Sequence, residues 1–106
     1  MSKYHKLTDG ERAKALEKAK KMRKLRADFK NGITNGLVTI DDILDSQDDP
    51  VIGKIKVADA LEAIPGIGPA KREQIMDEIG ISENRRLRGL GVHQKDALRK
   101  KMSLYF

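Results

Sequence analysis

Residues 64–98 have the sequence IPGIGPAKREQIMDEIGISENRRLRGLGVHQKDAL, which contains two glycine-rich turns, each followed by a helical pattern. Arg85, Arg86 and Arg88 lie between the two helical segments. Glycines allow a backbone to approach an anion closely, and the free N–H groups at a helix start favour negative charge. This combination predicts a surface that binds a row of phosphates, as a nucleic acid presents them.

The first turn contains Gly66 and Gly68 on either side of Ile67. This spacing allows a tight hairpin in which Ile67 points into the core and the backbone N–H groups point outward. Pro69 suits the first turn of the following helix, because an N–H at that position has no helical partner. A bare Gly-x-Gly pattern also occurs in turns that have no function, so the neighbouring basic residues are needed to support a phosphate site.

The helix after this hairpin is predicted to end at Gly80, a typical residue for that position. Its periodicity directs one set of side chains inward, namely Ala70, Ile75, Met76 and Ile79. Lys71 and Arg72 are predicted to point outward beside the hairpin. They strengthen the prediction that the open amino end of this helix binds phosphate.

The second turn follows a predicted N-cap at Ser82 and comprises Arg85, Arg86, Leu87, Arg88, Gly89, Leu90 and Gly91. Leu87 and Leu90 are predicted to face inward, which leaves the three arginines on an irregular surface segment. Guanidinium groups suit phosphates, and they also suit guanine edges where they reach a groove. The final helix is predicted from about His93 to Ser103. Its inward side chains are predicted to be Leu98 and Met102, with Ala97 beside them, and its exposed side chains Lys95, Arg99, Lys100 and Lys101. The last three residues, Leu104, Tyr105 and Phe106, are predicted to close the core.

The amino-terminal segment carries a capping box, Thr8 with Glu11, and predicts a helix that runs to about Asn31 and stops at Gly32. Its apolar face is thin and rich in alanine, so the first turns should dock weakly while Phe29 and Ile33 anchor the other end. Such a basic helix could swing onto DNA. A solvated charged face that only maintains solubility is an equally good interpretation.

The middle of the chain has a second capping pattern, Thr39 followed by Asp42, which predicts a short helix. An extended connection is predicted after it, from Val51 to Val57. No second segment of similar character is present to pair with this run as a strand. Lys54 and Lys56 lie inside the connection and are candidates for a mobile basic lid. Two exposed lysines on an ordinary loop are at least as good an explanation.

The composition indicates one small domain with a net charge of +6 in 106 residues. Residues 1–30 carry a net +7, residues 31–64 a net −5 and residues 65–106 a net +4. We therefore expect the acidic middle to lie away from a bound nucleic acid. The chain has no cysteine, no apolar leader and no long apolar run, so we expect a cytoplasmic protein without thiolate metal sites. Four aromatic residues are too few to favour single-strand binding by stacking.

These residues together resemble a known family. The segment PGIGPAKREQIMDEIGISENRRLRGLG is similar to the helix-two-turns-helix element that actinobacterial integration host factors share with ribosomal S13 proteins and formamidopyrimidine-DNA glycosylases. The similarity to the integration host factors continues through KALEKAKKMRKLRADFKNGI, TIDDIL and VIGKIKV, which covers nearly the whole chain. One departure is Pro69, where the family pattern often has a lysine, and it removes one possible phosphate-binding side chain.

The resemblance implies an all-α fold, with a long basic helix (residues 1–31) followed by a helical DNA-binding domain (residues 32–106) within one structural domain. It implies a monomeric nucleoid-associated protein that binds and bends duplex DNA with little sequence preference. Such a protein compacts the chromosome and supports DNA topology and recombination. The enzymes of those processes are candidate partners. The residues expected to contact DNA are Gly66, Ile67, Gly68, Lys71, Arg72, Arg85, Arg86, Arg88, Gly89, Lys54 and Lys56.

Three other function classes are weaker. One is a helical protein-interaction module, which equal DNA binding by an Arg86/Arg88 double alanine variant would favour. An RNA-binding protein of the S13 type predicts a long basic carboxyl tail, which this sequence does not show. A glycosylase needs an amino-terminal proline nucleophile, whereas this chain begins Met-Ser-Lys and is short for a base-flipping pocket. We therefore expect no catalytic residue, no cofactor and no bound metal; His93, for example, has no second ligand at helical spacing.

Overall fold

The computed structural model describes residues 8–104 and confirms the all-α prediction. The helices are α1 (Asp9–Thr34), α2 (Ile40–Asp45), α3 (Val57–Glu62), α4 (Pro69–Ile79) and α5 (Val92–Met102). Single turns of 3-10 helix cover Ile52–Lys54 and Leu87–Gly89. Over residues 8–104 the chain forms no β-strand, and one isolated antiparallel bridge joins Lys56 to Arg86. None of the helices in this range has the length and apolar character needed to cross a membrane.

Helix α1 has a well-capped amino end, and the side chains of its first turns are exposed. Thr8 accepts a hydrogen bond from the Glu11 N–H at 3.2 Å, and the Glu11 carboxylate accepts one in return from the Thr8 N–H at 3.3 Å, which confirms the predicted capping box. All side chains from residue 9 to residue 18 are exposed. Only Ile33 is fully buried, with Phe29 packed partly against the core. The prediction of weak docking at the amino end is confirmed.

The predicted end of α1 at Asn31 is wrong by three residues. Gly32 lies inside the helix, and a Cβ built there would approach the Val38 side chain to 2.8 Å, so glycine makes room for the returning chain. The Gly32 carbonyl accepts a hydrogen bond from the Leu37 N–H at 2.8 Å. The turn that follows the helix passes through Gly36, whose φ of +76° suits glycine. Gly32 is therefore a packing residue, and the chain reverses four residues later.

The core forms where α2 to α5 and the end of α1 meet. The predicted inward positions Ile75, Met76, Leu87, Leu90, Leu98 and Met102 are all buried. Thr34 joins α1 to this core by donating its hydroxyl to the Ala63 carbonyl at 2.7 Å. The first turn joins α3 to α4 and the second joins α4 to α5, so this core supports both turns.

The structure corrects the predicted side-chain exposure of Ala70, Leu104 and Lys95. Ala70, predicted to be buried, is exposed on α4. Leu104 is 79% exposed and does not close the core, while Tyr105 and Phe106 lie outside the described residues. On α5, Lys95 is half-buried because its ammonium donates to the Gln47 side-chain oxygen at 3.1 Å.

Candidate nucleic-acid interface

The first turn forms the hairpin that the sequence predicts. Ile67 is 5% exposed, and its N–H donates to the Ile64 carbonyl at 3.1 Å, so this residue fixes the turn to the core. Gly66 has a φ of +90°, and both Gly66 and Gly68 are exposed. Gly68 is the N-cap of α4 and Pro69 occupies its first turn, with no side chain capping the helix. The first N–H groups of α4 are therefore presented at the surface beside two residues that have no side chain.

The second turn is held by main-chain hydrogen bonds to the segment before α3. The Leu87 N–H donates to the Ile55 carbonyl, and the Val57 N–H donates to the Arg85 carbonyl, both at 2.9 Å. Arg86 lies in the bridge opposite Lys56. The prediction that no segment pairs with Val51–Val57 as a strand is confirmed over residues 8–104, where a single bridge joins this segment to the arginine turn. The prediction that the whole segment is extended is wrong, because Ile52–Lys54 form a turn of 3-10 helix.

The guanidinium groups of this turn are oriented by carbonyl oxygens. Arg85 donates to the Gly89 carbonyl at 3.2 Å, and Arg86 donates a weak hydrogen bond to the Lys54 carbonyl at 3.4 Å. Arg88 is exposed. In the part of the chain that the structure describes, none of these three arginines pairs with a carboxylate. Because each guanidinium has five N–H donors, most of them remain available to an external acceptor.

A basic cleft of about 210 Å³ lies between α1 and the arginine turn. It is lined by Arg26, Lys30, Lys54, Ile55, Lys56, Asp59 and Arg86. Five of these side chains are cationic and one is acidic. Three separate stretches of chain contribute the cations, so the cleft concentrates positive charge well beyond what any one motif supplies.

Sequence reasoning missed Arg26 and Lys30. Their spacing of four residues places them on one face of α1, and this signal is readable in the sequence. The burial of Phe29 and Ile33 determines which face of α1 meets the arginine turn. This is a tertiary effect that the sequence does not specify.

Lys54 and Lys56 lie on a segment that is held in place rather than on a free lid. Gly53 is buried, and a Cβ there would come within 2.4 Å of the Gln47 carbonyl oxygen. Gln47 in turn donates its side-chain amide to the Leu90 carbonyl at 2.7 Å. The chain is thus held by contacts on both sides of the two lysines. These contacts favour the ordinary loop over the mobile lid, the two interpretations that the sequence allows.

The acidic middle of the chain does not lie wholly away from the basic residues, contrary to expectation. Asp48 and Asp49 line a cleft of about 310 Å³ together with Lys54 and Arg88, and Asp59 lines the basic cleft. The Asp49 carboxylate accepts hydrogen bonds from the Ile52 and Val51 N–H groups, both at 2.8 Å, and these bonds lower its pKa. This acid therefore shapes the turn that carries Lys54.

Of the two basic residues predicted to point outward from α4, only Lys71 does so. The Arg72 side chain is 15% exposed, and its Nε lies 2.7 Å from the Glu62 Oε1 atom. The prediction that Arg72 faces outward is wrong, because α3 ends with a carboxylate directly beside the first turn of α4.

The structure therefore places the predicted residues in two groups. Lys54, Lys56 and Arg86 come together in the basic cleft, with Arg88 beside Lys54 in the neighbouring cleft. The hairpin glycines and Lys71 lie at the other end of α3, whose six residues span about 9 Å. The two groups are close enough for one ligand that extends along a surface to contact both.

Comparison with known proteins identifies this arrangement. A family model described as the S13-like H2TH domain matches residues 33–102. The integration host factor of Mycobacterium tuberculosis is 46% identical over 96 residues, which cover 90% of this chain and 91% of that protein. The integration host factor of Streptomyces coelicolor is 43% identical over 95 residues, which cover 89% of each protein.

A solved structure of sIHF bound to an 8-base-pair palindromic DNA superposes on this fold with a TM-score of 0.77 and 41% sequence identity. The match covers 80% of this chain and 97% of that chain. The family resemblance predicted from the sequence is thus confirmed by the domain match, by the sequence identity over most of the chain and by the shared fold. This chain belongs to the integration host factor family of S13-like H2TH-domain proteins.

Proposed function

We propose that this protein is a nucleoid-associated architectural protein that binds duplex DNA with little sequence preference and bends or compacts it. The observation that carries the proposal is the basic cleft, where five cationic side chains from α1, the Lys54–Lys56 segment and the arginine turn converge with a single acid. A polyanion is the partner that such a surface attracts, and phosphate contacts position a protein on DNA without reading its sequence.

In this proposal the DNA backbone is held at both ends of α3. The hairpin offers the exposed backbone of Gly66 and Gly68, with Lys71 beside it, and Ile67 anchors it from within. The arginine turn and the basic cleft form the second contact, through Arg85, Arg86, Arg88, Lys54, Lys56, Arg26 and Lys30. Arg72 is left out of the direct contacts because its guanidinium lies against Glu62. Gly89 acts through its carbonyl, which orients Arg85.

The sIHF structure in the comparison contains DNA, and the relatives named above are integration host factors rather than enzymes or ribosomal proteins. These matches favour duplex DNA over structured RNA of the S13 type as the partner. We further propose that the protein acts as a monomer in the nucleoid, performs no catalytic step itself and assists enzymes of DNA topology and recombination by shaping their substrate.

The proposed function is tested by a salt-titrated competition between a short duplex and a structured RNA. If about six phosphates are neutralised, the logarithm of the DNA association constant should fall with the logarithm of salt concentration with a slope near −5. The duplex should also compete better than the RNA at every salt concentration. A salt-independent affinity, or a consistent preference for the RNA, would contradict the proposal.

We propose that α1 is a basic arm that extends the DNA contact and promotes bending, while residues 32–106 form the principal DNA-binding domain. Helical geometry places Arg12 and Arg23 on the same face as Arg26 and Lys30. From Lys30 to Arg12 this face extends for about 27 Å, which corresponds to roughly eight base pairs of DNA. Arg12 and Arg23 are exposed and lie beyond the basic cleft.

Exchanging Arg12 and Arg23 for glutamine in the full-length chain should reduce the bend angle of a bound duplex and weaken binding by less than about 10-fold, since each is one exposed ionic contact. The bend is measured by energy transfer between labels at the two DNA ends. The matched control exchanges Lys14 and Lys21, which helical geometry places on the opposite face. Equal losses of bending in the two variants would show that total charge, rather than this face, controls the bend.

A further inference from the structure

Arg72 lies between the two turns that the proposed function brings to DNA. It belongs to the first turn of α4, and its N–H donates to the Gly68 carbonyl at 2.9 Å. Its side chain is 15% exposed and reaches two carboxylates: Nε lies 2.7 Å from Glu62, and Nη1 lies 3.9 Å from Glu83. The Nε–H group does not point at an acceptor with hydrogen-bond geometry, so its contact with Glu62 is an ion pair without a hydrogen bond.

The positions of the two carboxylates connect this one guanidinium to both turns. Glu62 is the last residue of α3, so its ion pair with Arg72 spans the base of the hairpin. Glu83 lies two residues before Arg85, where the chain enters the arginine turn. A change at Arg72 therefore alters the support of the hairpin and of the arginine turn together.

We infer that Arg72 is a positioning residue for DNA binding, which holds the hairpin and the arginine turn at the separation that a DNA backbone requires. This inference rests on the proposed function. The Arg72 side chain is only 15% exposed and its Nε lies against Glu62, so it presents less of its guanidinium to a phosphate than the exposed arginines of the arginine turn do. The Glu62 and Glu83 side chains are 38% and 73% exposed, and ion pairs in such surroundings contribute little to folding. We therefore expect loss of Arg72 to leave the fold intact, so that its effect is measured in DNA binding.

The experiment compares Arg72→Met with Arg99→Met in the full-length protein. Arg99 forms similar ion pairs on another surface, with its Nε 2.7 Å from Asp41 and its Nη1 3.5 Å from Asp96, so each variant loses one positive charge and two ion pairs. Arg72→Met should bind a short duplex about 3- to 10-fold more weakly than Arg99→Met, the range expected of a residue that acts through its neighbours. The two variants should have the same salt slope and similar melting temperatures. Arg72→Lys should recover part of the affinity that Arg72→Met loses.

A second pair of variants separates positioning from simple electrostatics. Glu62→Gln raises the net charge from +6 to +7, and added positive charge by itself strengthens DNA binding. The positioning role predicts the opposite: Glu62→Gln should bind DNA more weakly than the control Asp41→Asn. The double variant of Arg72 and Glu62 should lose little more affinity than either single variant, because both changes remove the same ion pair.

The outcomes distinguish this inference from the function on which it rests. If the wild-type protein shows no salt-dependent binding to duplex DNA, the proposed function fails. If the wild type binds but Arg72→Met matches Arg99→Met, only the positioning role fails. A salt slope lower by about 0.9 in Arg72→Met, but not in Arg99→Met, would instead identify Arg72 as a direct phosphate ligand and overturn the inference.

Discussion

Replacing Arg86 and Arg88 together with alanine should weaken duplex binding by about 10- to 100-fold. Hydrogen bonds to charged groups contribute about 1.5–3 kcal/mol each, and neighbouring cations should recover part of the lost binding free energy. The salt slope should become shallower by about two, roughly one unit for each phosphate that is no longer neutralised. The turn itself should persist, because main-chain hydrogen bonds to Ile55 and Val57 hold it. We therefore expect little change in melting temperature. Fluorescence anisotropy at several salt concentrations measures both binding quantities.

The control for this prediction is alanine at Arg99 and Lys100 on α5, which removes the same two charges from a different surface. This control should bind DNA with nearly the wild-type affinity and a slope close to that of the wild type. If the two double variants lose affinity equally, DNA responds to the total charge of the protein, and the arginine turn has no special part in binding.

The features that the sequence predicts well are those governed by residues close together in the chain. The two predicted capping boxes form, one between Thr8 and Glu11 and the other between Thr39 and Asp42. In the hairpin, the alternation of glycine and isoleucine leaves few conformations that bury Ile67, so its inward direction follows from local rules. These short-range preferences make the hairpin predictable without knowledge of the rest of the fold.

The features that the sequence does not predict depend on which surfaces meet. Gly32 has the character of a helix stop, yet it remains helical because the chain packs Val38 against it. Arg72 has the spacing of an outward residue, but α3 brings Glu62 within 2.7 Å of it. Arg26 joins the basic cleft only because α1 docks through its carboxyl-terminal half. Each of these outcomes requires the relative placement of two helices.

The hairpin prediction can be tested by a substitution that leaves the fold unstrained. Gly68 has a φ of −91°, which any residue adopts, and a Cβ added there meets no protein atom within 4 Å. Gly68→Ala should therefore change the melting temperature only slightly. If a DNA backbone approaches the hairpin closely, the added methyl group occupies its place, and binding should weaken by about 10-fold or more because the N–H groups can no longer reach a phosphate.

Gly91→Ala is the matched control, because Gly91 is also a helix N-cap with a negative φ of −79°, and its added Cβ has only an ordinary 3.8 Å contact with the Gln94 side chain. Both substitutions carry the same small cost of alanine at an N-cap, so a difference in DNA affinity reports on the external ligand alone. Gly66 is less suitable for this test, since its φ of +90° makes any side chain strained. Equal DNA affinity for Gly68→Ala and Gly91→Ala would mean that DNA does not approach the hairpin, and the contact would then be confined to the arginine turn and the basic cleft.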